Sequence, residues 1–267
     1  MKYKMIVTDL DDTLLNSKGE ISSLNKDAIL KAQELGIKFV LASGRPTYAM
    51  INLAKELQLE KYESFFLSYN GSIIIDCKNN KPLFNESLTN KEIAELYEFS
   101  KKEKVSIITY LDSEILSEEN NKYIDVEVNL THMPLKIVNN FKDSIPTSSP
   151  KCILLEEPNF LKNIENKLKE KLGDKYSIAI SKPFFLEVTK LGVDKGTSLE
   201  KLCTFLNIKM EEVIVVGDSF NDLPMLNVAG LPACVNNAKE EIKKISKYIS
   251  TSNDNNGIAN LINDLIF

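Results

Sequence analysis

Two carboxylates near the N-terminus, Asp9 and Asp11, lie two residues apart at the end of a short apolar run, Lys4–Leu10. The β-branched residues of this run predict a buried strand, and residues two apart in an extended strand project to the same side. Carboxylates about 4 Å apart repel each other by about 4 kcal/mol at an effective dielectric constant of about 20, so keeping both ionised requires a cation. Oxygen ligands suit a hard ion, and we therefore expect Mg²⁺. Taken alone, Asp11 and the residues after it could equally form a turn or a helix cap.

A second set of residues has the properties of a phosphate-binding site. Ser43 and Gly44 follow the predicted strand Ile37–Ala42 and precede a predicted helix, where they offer a hydroxyl group and an accessible backbone N–H. Lys195 lies at the start of another predicted helix, a position that the helix dipole makes unfavourable for a cation. A carboxylate and a phosphate beside Lys195 would offset that cost. A helix cap and a solvated surface lysine are the simpler interpretations of these residues.

A polar loop, Gly217–Asp222, follows a third predicted strand near the C-terminus. It contains two carboxylates and an amide: Asp218, Asn221 and Asp222. In open α/β sheets, ligands bind beyond the carboxyl ends of the strands. We therefore expect this loop and the two earlier motifs to converge at one edge of a sheet, with Asp218 as a further carboxylate for the cation.

The order of strand and helix signals predicts the fold class. These signals alternate in residues 1–83 and again in residues 190–267, and the strands are apolar throughout. Such alternation is typical of the α/β class, in which a parallel sheet is covered by helices on both faces. Residues 84–189 instead combine hairpin-like strands with capped helices, which predicts a separate α+β module inserted into the α/β core.

The composition excludes several classes of protein. The 267 residues carry 33 Lys and Arg against 38 Asp and Glu, and the net charge of −5 argues against nucleic-acid binding. Four cysteines without a CxxC pair and a single histidine argue against a Cys/His zinc site. No apolar stretch reaches about 18 residues, and an aspartate at position 9 comes too early for a signal peptide. We therefore expect a cytoplasmic protein with no membrane partner, and a monomer, because no coiled-coil heptad is present.

Four ordered motifs resemble those of the haloacid dehalogenase superfamily: DLDDT at 9–13, SGR at 43–45, Lys195 and GDSFND at 217–222. Their spacing is similar to that of the Cof-type branch, in which a large α+β cap is inserted between the second and third motifs. Three further segments also resemble this branch: SYNGSIII (68–75), KPFFLEV (182–188) and GVDKGTSLEKL (192–202). The resemblance covers essentially the whole chain. It implies a Rossmann-like parallel-sheet core in residues 1–83 and 190–267, with an α+β cap in residues 84–189 that selects the substrate.

The resemblance also implies a role for each motif residue. Asp9 would be the nucleophile that forms an aspartyl-phosphate, and Asp11 would be the general acid/base. Mg²⁺ would be held by the side chains of Asp9 and Asp218 and by the backbone carbonyl of Asp11. The phosphate group would be bound by Leu10, Ser43, Gly44, Lys195 and Asn221. Asp222 would orient Lys195 or a metal-bound water.

The implied activity is Mg²⁺-dependent hydrolysis of small phosphorylated metabolites. Sugar phosphates are favoured, because the sequence is most similar to the sugar-phosphate phosphatases of this branch. Arg45, Tyr48 and Asn70 are candidates for contact with the organic part of the substrate. Two alternatives stay open: a phosphotransferase or phosphomutase that uses the same aspartyl-phosphate, and a catalytically silent module that binds a metabolite without turnover.

Overall fold

The computed structural model describes residues 2–111 and 113–267. The chain forms two compact units. The first unit consists of Met1–Phe84 and Asp194–Phe267, and the second consists of Asn85–Val193. The chain therefore leaves the first unit once and returns to it once, so the second unit is an insertion within the first.

Helices and strands alternate along the first unit on both sides of the insertion. The first half contains β1 (Met5–Thr8), α1 (Ser23–Glu34), β2 (Lys38–Ala42), α2 (Thr47–Glu56), β3 (Phe65–Ser68), β4 (Ile73–Asp76) and β5 (Lys81–Asn85). The insertion contains β6 (Leu88–Thr89), α3 (Asn90–Glu103), β7 (Ser106–Leu111), β8 (Glu114–Ser117), α4 (Lys122–Thr131), β9 (Leu135–Ile137), α5 (Phe141–Ser144), β10 (Ser148–Ser149), β11 (Lys151–Leu155), α6 (Pro158–Leu172), β12 (Tyr176–Lys182) and β13 (Phe185–Lys190). The second half contains α7 (Lys195–Leu206), β14 (Val213–Gly217), α8 (Leu223–Val228), β15 (Leu231–Cys234), α9 (Glu240–Ile245), β16 (Tyr248–Ile249) and α10 (Gly257–Leu265). In this described part of the chain, no helix is both long and apolar enough to cross a membrane.

One sheet, with the strand order β16-β15-β14-β1-β2-β3-β4-β5, organises the first unit. The strands from β16 to β3 are parallel, and β4 runs antiparallel to β3. Strands β1, β2 and β14 are buried almost throughout, as expected for a parallel sheet that is covered on both faces. The predicted α/β class is confirmed.

Strand β1 marks the point at which the strand order reverses. It pairs in register with β14 on one side and with β2 on the other, and the later strands extend away from it in both directions. In open α/β sheets, such a reversal opens a crevice beyond the carboxyl ends of the strands, where ligands bind. Asp9, Ser43 and Asp218 are the first residues after β1, β2 and β14. The three strand ends therefore meet at one edge of the sheet, as the sequence predicts.

The second unit has its own sheet, with the strand order β12-β13-β11-β7-β8-β9, and a two-stranded sheet of β6 and β10. The strands from β12 to β8 are antiparallel, and β8 and β9 are parallel. Leu96 of α3 and Leu161 of α6 belong to one buried apolar cluster with residues of this sheet. Helix α3 begins at a capping box, in which the carboxylate of Glu92 accepts the backbone N–H of Thr89 at 2.7 Å.

Helix α4 is an element that the sequence patterns do not reveal. Its sequence, KYIDVEVNLT, contains the β-branched residues Ile124, Val126 and Val128, which favour strands over helices. The start of the helix is nevertheless specified, because the side chain of Asn121 accepts the N–H groups of Tyr123 and Ile124 at 3.0 Å each. Ile124 is fully buried in the second unit, so tertiary packing outweighs the local preference for a strand.

Candidate active site

Asp9 is held at the carboxyl end of β1 by its own backbone. Its N–H donates to the carbonyl of Val216 at 2.9 Å, which continues the pairing with β14 beyond the end of β1. The side chain is only 5% exposed, and its Oδ1 accepts a hydrogen bond from Nζ of Lys195 at 2.5 Å. The tertiary structure therefore joins a strand-end carboxylate to an ammonium group 186 residues away in sequence.

Lys195 is the first residue of α7, and its side chain is fully buried. The helix begins there because Asp194 caps it, accepting the N–H of Thr197 at 2.8 Å. Nζ of Lys195 donates to Oδ1 of Asp9 at 2.5 Å and to Oδ1 of Asp222 at 2.7 Å. These two carboxylates offset the burial of the ammonium group and its unfavourable position at the start of a helix.

Asp222 is fully buried and links Lys195 to the loop after β14. Its Oδ2 accepts the N–H groups of Asp218 at 2.9 Å and of Ser219 at 3.1 Å. Gly217 makes room for this arrangement, since a Cβ atom there would lie 2.6 Å from Oδ2 of Asp222. Asp222 therefore orients Lys195 with one oxygen and shapes the loop that carries Asp218 with the other.

Asp218 is anchored from a second direction by Thr13. The hydroxyl of Thr13 donates to Oδ1 of Asp218 at 2.8 Å, and Thr13 is fully buried in the turn that follows β1. Sequence patterns assign no role to Thr13, because its partner is 205 residues away. The only available signal is its place as the last residue of the DLDDT segment.

Three carboxylates can share a cation. One oxygen atom from each of Asp9, Asp218 and Asp222 lies within 4.8 Å of the other two, and this all-oxygen donor set suits Mg²⁺. Both oxygens of Asp222 already accept hydrogen bonds. Within residues 2–111 and 113–267, only one oxygen of Asp9 and one of Asp218 do so. The other oxygens of Asp9 and Asp218 are therefore available to a divalent ion, whereas both oxygens of Asp222 are already engaged.

Burial raises the pKa values of two carboxylates of the site, Asp9 and Asp218. Burial raises the pKa of Asp9 well above its ordinary value, although Lys195 beside it acts in the opposite direction. Burial, together with Asp222, raises the pKa of Asp218 to about 6. Burial alone would lower the pKa of Lys195, but Asp222 and Asp9 reverse that effect and raise it. A divalent cation at Asp9 and Asp218 would stabilise their ionised forms, which is the physical reason to expect a metal here.

Asp11 lies outside the group of three carboxylates, and the expectation that Asp9 and Asp11 follow one extended strand is wrong. Strand β1 ends before Asp9, and the chain turns through Leu10–Leu14, with Asp12 in the left-handed region at φ 59°. The carboxylate of Asp11 is exposed and accepts hydrogen bonds from Nε of Arg45 at 3.0 Å and Nη2 of Arg45 at 2.7 Å. The metal contact of the Asp11 backbone carbonyl, which the family resemblance implies, stays a prediction.

Several residues predicted to contact phosphate or substrate meet at the end of β2. Ser43 is buried, and its Oγ accepts the N–H of Arg45 at 3.1 Å. The N–H of Asn70 donates to the carbonyl of Ser43 at 2.9 Å, and its side-chain Oδ1 accepts from Nδ2 of Asn221 at 3.3 Å. A Cβ atom on Gly44 would lie 3.2 Å from Oδ1 of Asn70, so position 44 has little room for a side chain. The SGR segment, Asn70 and Asn221 are therefore one connected group.

Leu10 and Tyr48, which are also predicted site residues, do not join this connected group through their side chains. Leu10 follows Asp9 directly, and its side chain is fully buried in the apolar core, so only its backbone could serve a ligand. Tyr48 lies on α2 and is half-exposed. Within the part of the chain that the structure describes, its side chain makes no hydrogen bond or ring contact with the other predicted site residues.

Comparison with known proteins agrees with this geometry. Residues 6–262 match the profile of the haloacid dehalogenase-like hydrolases. The chain belongs to this family.

Several relatives of this haloacid dehalogenase-like hydrolase match nearly its whole length. The crystal structure of a haloacid dehalogenase-like hydrolase from Bacteroides thetaiotaomicron has a TM-score of 0.94 and 39% identity, covering 99% of this chain and 100% of that one. The 5-amino-6-(5-phospho-D-ribitylamino)uracil phosphatase YcsE of Bacillus subtilis (strain 168) is 29% identical over 262 residues, covering 97% of this chain and 94% of its own. Phosphatase YwpJ of the same organism is 26% identical over 288 residues, covering 98% of this chain and 100% of its own. The predicted haloacid dehalogenase-like fold and phosphatase class are confirmed.

Proposed function

We propose that this hydrolase is a Mg²⁺-dependent phosphatase of small phosphorylated metabolites that acts through an aspartyl-phosphate on Asp9. The observation that carries the proposal is the buried contact of Lys195 with both Asp9 and Asp222, beside Asp218. Carboxylates held together in a buried site are unfavourable unless cations balance them. A divalent ion and the phosphate group of a substrate would complete the charge balance at this strand edge.

The reaction would proceed in two displacements on phosphorus. In the first, a carboxylate oxygen of Asp9 forms a bond to phosphorus while the bond from phosphorus to the leaving oxygen breaks, and Asp11 gives that oxygen a proton. In the second, the oxygen of a water molecule attacks phosphorus, Asp11 accepts the water proton, and the bond between Asp9 and phosphorus breaks. Bound by Asp9, Asp218 and the backbone carbonyl of Asp11, Mg²⁺ would supply positive charge that lets an anionic carboxylate approach an anionic phosphate.

The remaining residues of the site would bind and orient the phosphate group. Lys195, kept in place by Asp222, would donate to a phosphoryl oxygen while it holds Asp9. The other donors would be the Ser43 hydroxyl, the backbone N–H groups of Leu10 and Gly44, and the Asn221 amide. Donors that are held in place before the reaction stabilise developing charge without the cost of reorganisation.

We assign residues 84–189 to a cap domain that selects the substrate, and residues 1–83 and 190–267 to the catalytic core. In support, the second unit has its own sheet and its own apolar cluster, and it is inserted between the SGR segment and Lys195. We expect the protein to be a cytoplasmic monomer that binds a small metabolite and no nucleic acid.

Sugar phosphates are the favoured substrate class. The related phosphatase YcsE is named for a substrate that carries its phosphate on a ribityl chain, which is a polyol. Asn70 adjoins the proposed phosphate donors and would face the organic part of such a substrate. Arg45 directs its guanidinium group to Asp11 instead. Tyr48 stays a candidate for the same role.

The direct test of this function is hydrolysis of p-nitrophenyl phosphate by the purified protein. We expect turnover with Mg²⁺ and its loss when EDTA removes the metal, followed by recovery when Mg²⁺ is restored. Sugar phosphates assayed next should release inorganic phosphate. Conversion of a sugar phosphate into an isomer without phosphate release would instead identify a phosphomutase, and tight binding without any turnover would identify a silent module.

Replacing Thr13 with Val should weaken Mg²⁺ binding by about 10- to 100-fold, because the ligand Asp218 loses the hydrogen bond that orients it. Titration calorimetry with Mg²⁺ measures this effect without any need for turnover. The same change at Thr204, whose hydroxyl donates at 2.8 Å to a carbonyl within α7, is the matched control and should leave Mg²⁺ affinity unchanged. Equal affinities of the Thr13 and Thr204 variants would argue against Asp218 as a metal ligand.

A further inference from the structure

Arg45 contacts Asp11 through two donors of its guanidinium group. Nε donates to Oδ2 at 3.0 Å and Nη2 donates to Oδ1 at 2.7 Å, so the two donors match the two carboxylate oxygens. The side chain of Asp11 is 57% exposed, whereas that of Arg45 is 29% exposed. Exposed ion pairs contribute little to stability in general. A two-point contact of this kind nevertheless sets the plane and the direction of the carboxylate.

The backbone of Arg45 is itself anchored to the core. Its N–H donates to Oγ of Ser43 at 3.1 Å, and its carbonyl accepts the N–H of Tyr69 at 2.9 Å. Asp11 has no comparable support, since in the described residues its side chain accepts hydrogen bonds from Arg45 alone, and the next residue, Asp12, is in the left-handed region. The direction of the Asp11 carboxylate therefore depends on Arg45.

We propose that Arg45 is a positioning residue for Asp11, holding its carboxyl group ready for the oxygen of the leaving group. This inference rests on the proposed function, in which Asp11 is the general acid/base. A protonated Asp11 can keep one contact, between Oδ2 and Nε, while Oδ1 turns from Nη2 to the leaving oxygen. Arg45 thus restricts the Asp11 carboxyl group to rotation about its contact with Nε. An exposed side chain without such a contact would sample many directions.

Arg45 exchanges no proton in either displacement. In the first, the O–H bond of Asp11 breaks and its proton passes to the leaving oxygen, whose bond to phosphorus breaks as the bond from Asp9 to phosphorus forms. In the second, a water proton returns to Asp11 as the water oxygen binds phosphorus and Asp9 is released. Because Arg45 acts only through Asp11, its contribution must increase with the need of the leaving group for a proton.

A double-mutant cycle of Arg45→Ala and Asp11→Asn tests this inference. The measured quantity is kcat/KM, which reports the first displacement, for an alkyl phosphate and for p-nitrophenyl phosphate in Mg²⁺. Arg45→Ala alone should lower kcat/KM for the alkyl phosphate by about 10- to 100-fold, part of the roughly 10²- to 10⁴-fold that general acid catalysis contributes. For p-nitrophenyl phosphate, whose leaving group departs without a proton, the loss should stay below about threefold. When Arg45→Ala is added to Asp11→Asn, kcat/KM should fall by less than about a further twofold, because the carboxylate through which Arg45 acts has already been removed.

Two further variants separate positioning by Arg45 from the effect of its charge and from the loss of an exposed ion pair in general. Arg45→Lys keeps the positive charge without the two-donor geometry, so it should restore little of the lost activity towards the alkyl phosphate. Lys26→Ala removes another exposed ion pair of the same unit, with Glu56, and should leave kcat/KM unchanged for both substrates.

The outcomes that would overturn the inference are distinct from failure of the proposed function. Equal losses from Arg45→Ala with and without the Asp11 change, equal losses for both substrates, or full recovery with Arg45→Lys would each show that Arg45 does not act by positioning Asp11. These results require an active enzyme, so they leave the proposed function intact. Absence of phosphate release by the unmodified protein in Mg²⁺ would instead reject the proposed function, and the role of Arg45 with it.

Discussion

Replacing Asp9 with Asn should lower the rate of phosphate release by on the order of 10⁴-fold or more, because a neutral amide cannot attack phosphorus. The change preserves the size of the side chain and leaves Lys195 its contact with Asp222. The rate of p-nitrophenyl phosphate hydrolysis in Mg²⁺ measures the loss. Mass spectrometry after an acid quench should detect a phosphorylated form of the unmodified enzyme and none of the variant.

The Asp9→Asn variant also tests whether the buried Asp9 carboxylate destabilises the metal-free protein. Burial raises the pKa of Asp9 well above its ordinary value, so the ionised carboxylate destabilises the metal-free fold at neutral pH. Asp9→Asn should therefore leave the thermal midpoint in EDTA unchanged or higher. Asp12→Asn, three residues along the same segment, is the matched control: Asp12 is exposed, asparagine tolerates its positive φ, and activity should stay within about threefold. Undiminished turnover by the Asp9 variant would reject Asp9 as the nucleophile.

Replacing Lys195 with Met should destabilise the protein by about 3 to 5 kcal/mol, the usual cost of removing one partner from a buried ion pair. The fully buried ammonium group holds Asp9 and Asp222, and without it both carboxylates lose their positive partner. Activity should also fall by about 10²- to 10³-fold, because a donor to the phosphate is lost. Urea unfolding in EDTA measures the stability, and p-nitrophenyl phosphate hydrolysis measures the activity.

The pH dependence of the Lys195 variant has a definite sign. Lys195 lowers the pKa of Asp9, so without the ammonium group burial would raise the pKa of Asp9 in the folded state further above its value in the unfolded chain, and the folded state would bind more protons. Lowering the pH from roughly 8 to roughly 5 should therefore reduce the loss of stability relative to the unmodified protein. Adding Asp222→Asn should recover part of the loss, since one uncompensated charge is removed.

The control for Lys195 is an exposed lysine. Lys26→Met breaks a surface ion pair with Glu56 and should change the free energy of unfolding by less than about 1 kcal/mol at any pH. If the Lys195 variant were as stable as the Lys26 variant, the central electrostatic argument for the site would be wrong.

Elements of the first unit could be predicted from sequence because their signals are local. Apolar runs that stop abruptly at Asp9, Ser43 and Asp218 indicate buried parallel strands with polar ends, and the structure has β1, β2 and β14 there. Helix α4 escaped prediction because its β-branched sequence favours a strand and only burial within the second unit decides in favour of a helix.

The direction of Asp11 could not be predicted, because it depends on where β1 ends. Extension of the strand to Leu10 would place Asp9 and Asp11 on one side. The observed chain instead turns after Asp9, and the two carboxylates have different partners: Lys195 for Asp9 and Arg45 for Asp11. The hydrogen bond between Thr13 and Asp218 could not be predicted either, because the two residues are 205 positions apart in sequence.

The amino-acid sequence by itself determined which residue types stand at the carboxyl ends of the strands, and hence that carboxylates, an ammonium group and a hydroxyl group would be available for phosphoryl chemistry. Only the tertiary structure decided which of them touch: Lys195 with Asp9 and Asp222, Thr13 with Asp218, and Arg45 with Asp11. The physical reason is that strand and helix patterns arise from neighbours a few residues apart. Hydrogen bonds between groups 27 to 205 residues apart depend instead on how the sheet orders its strands and where each strand ends.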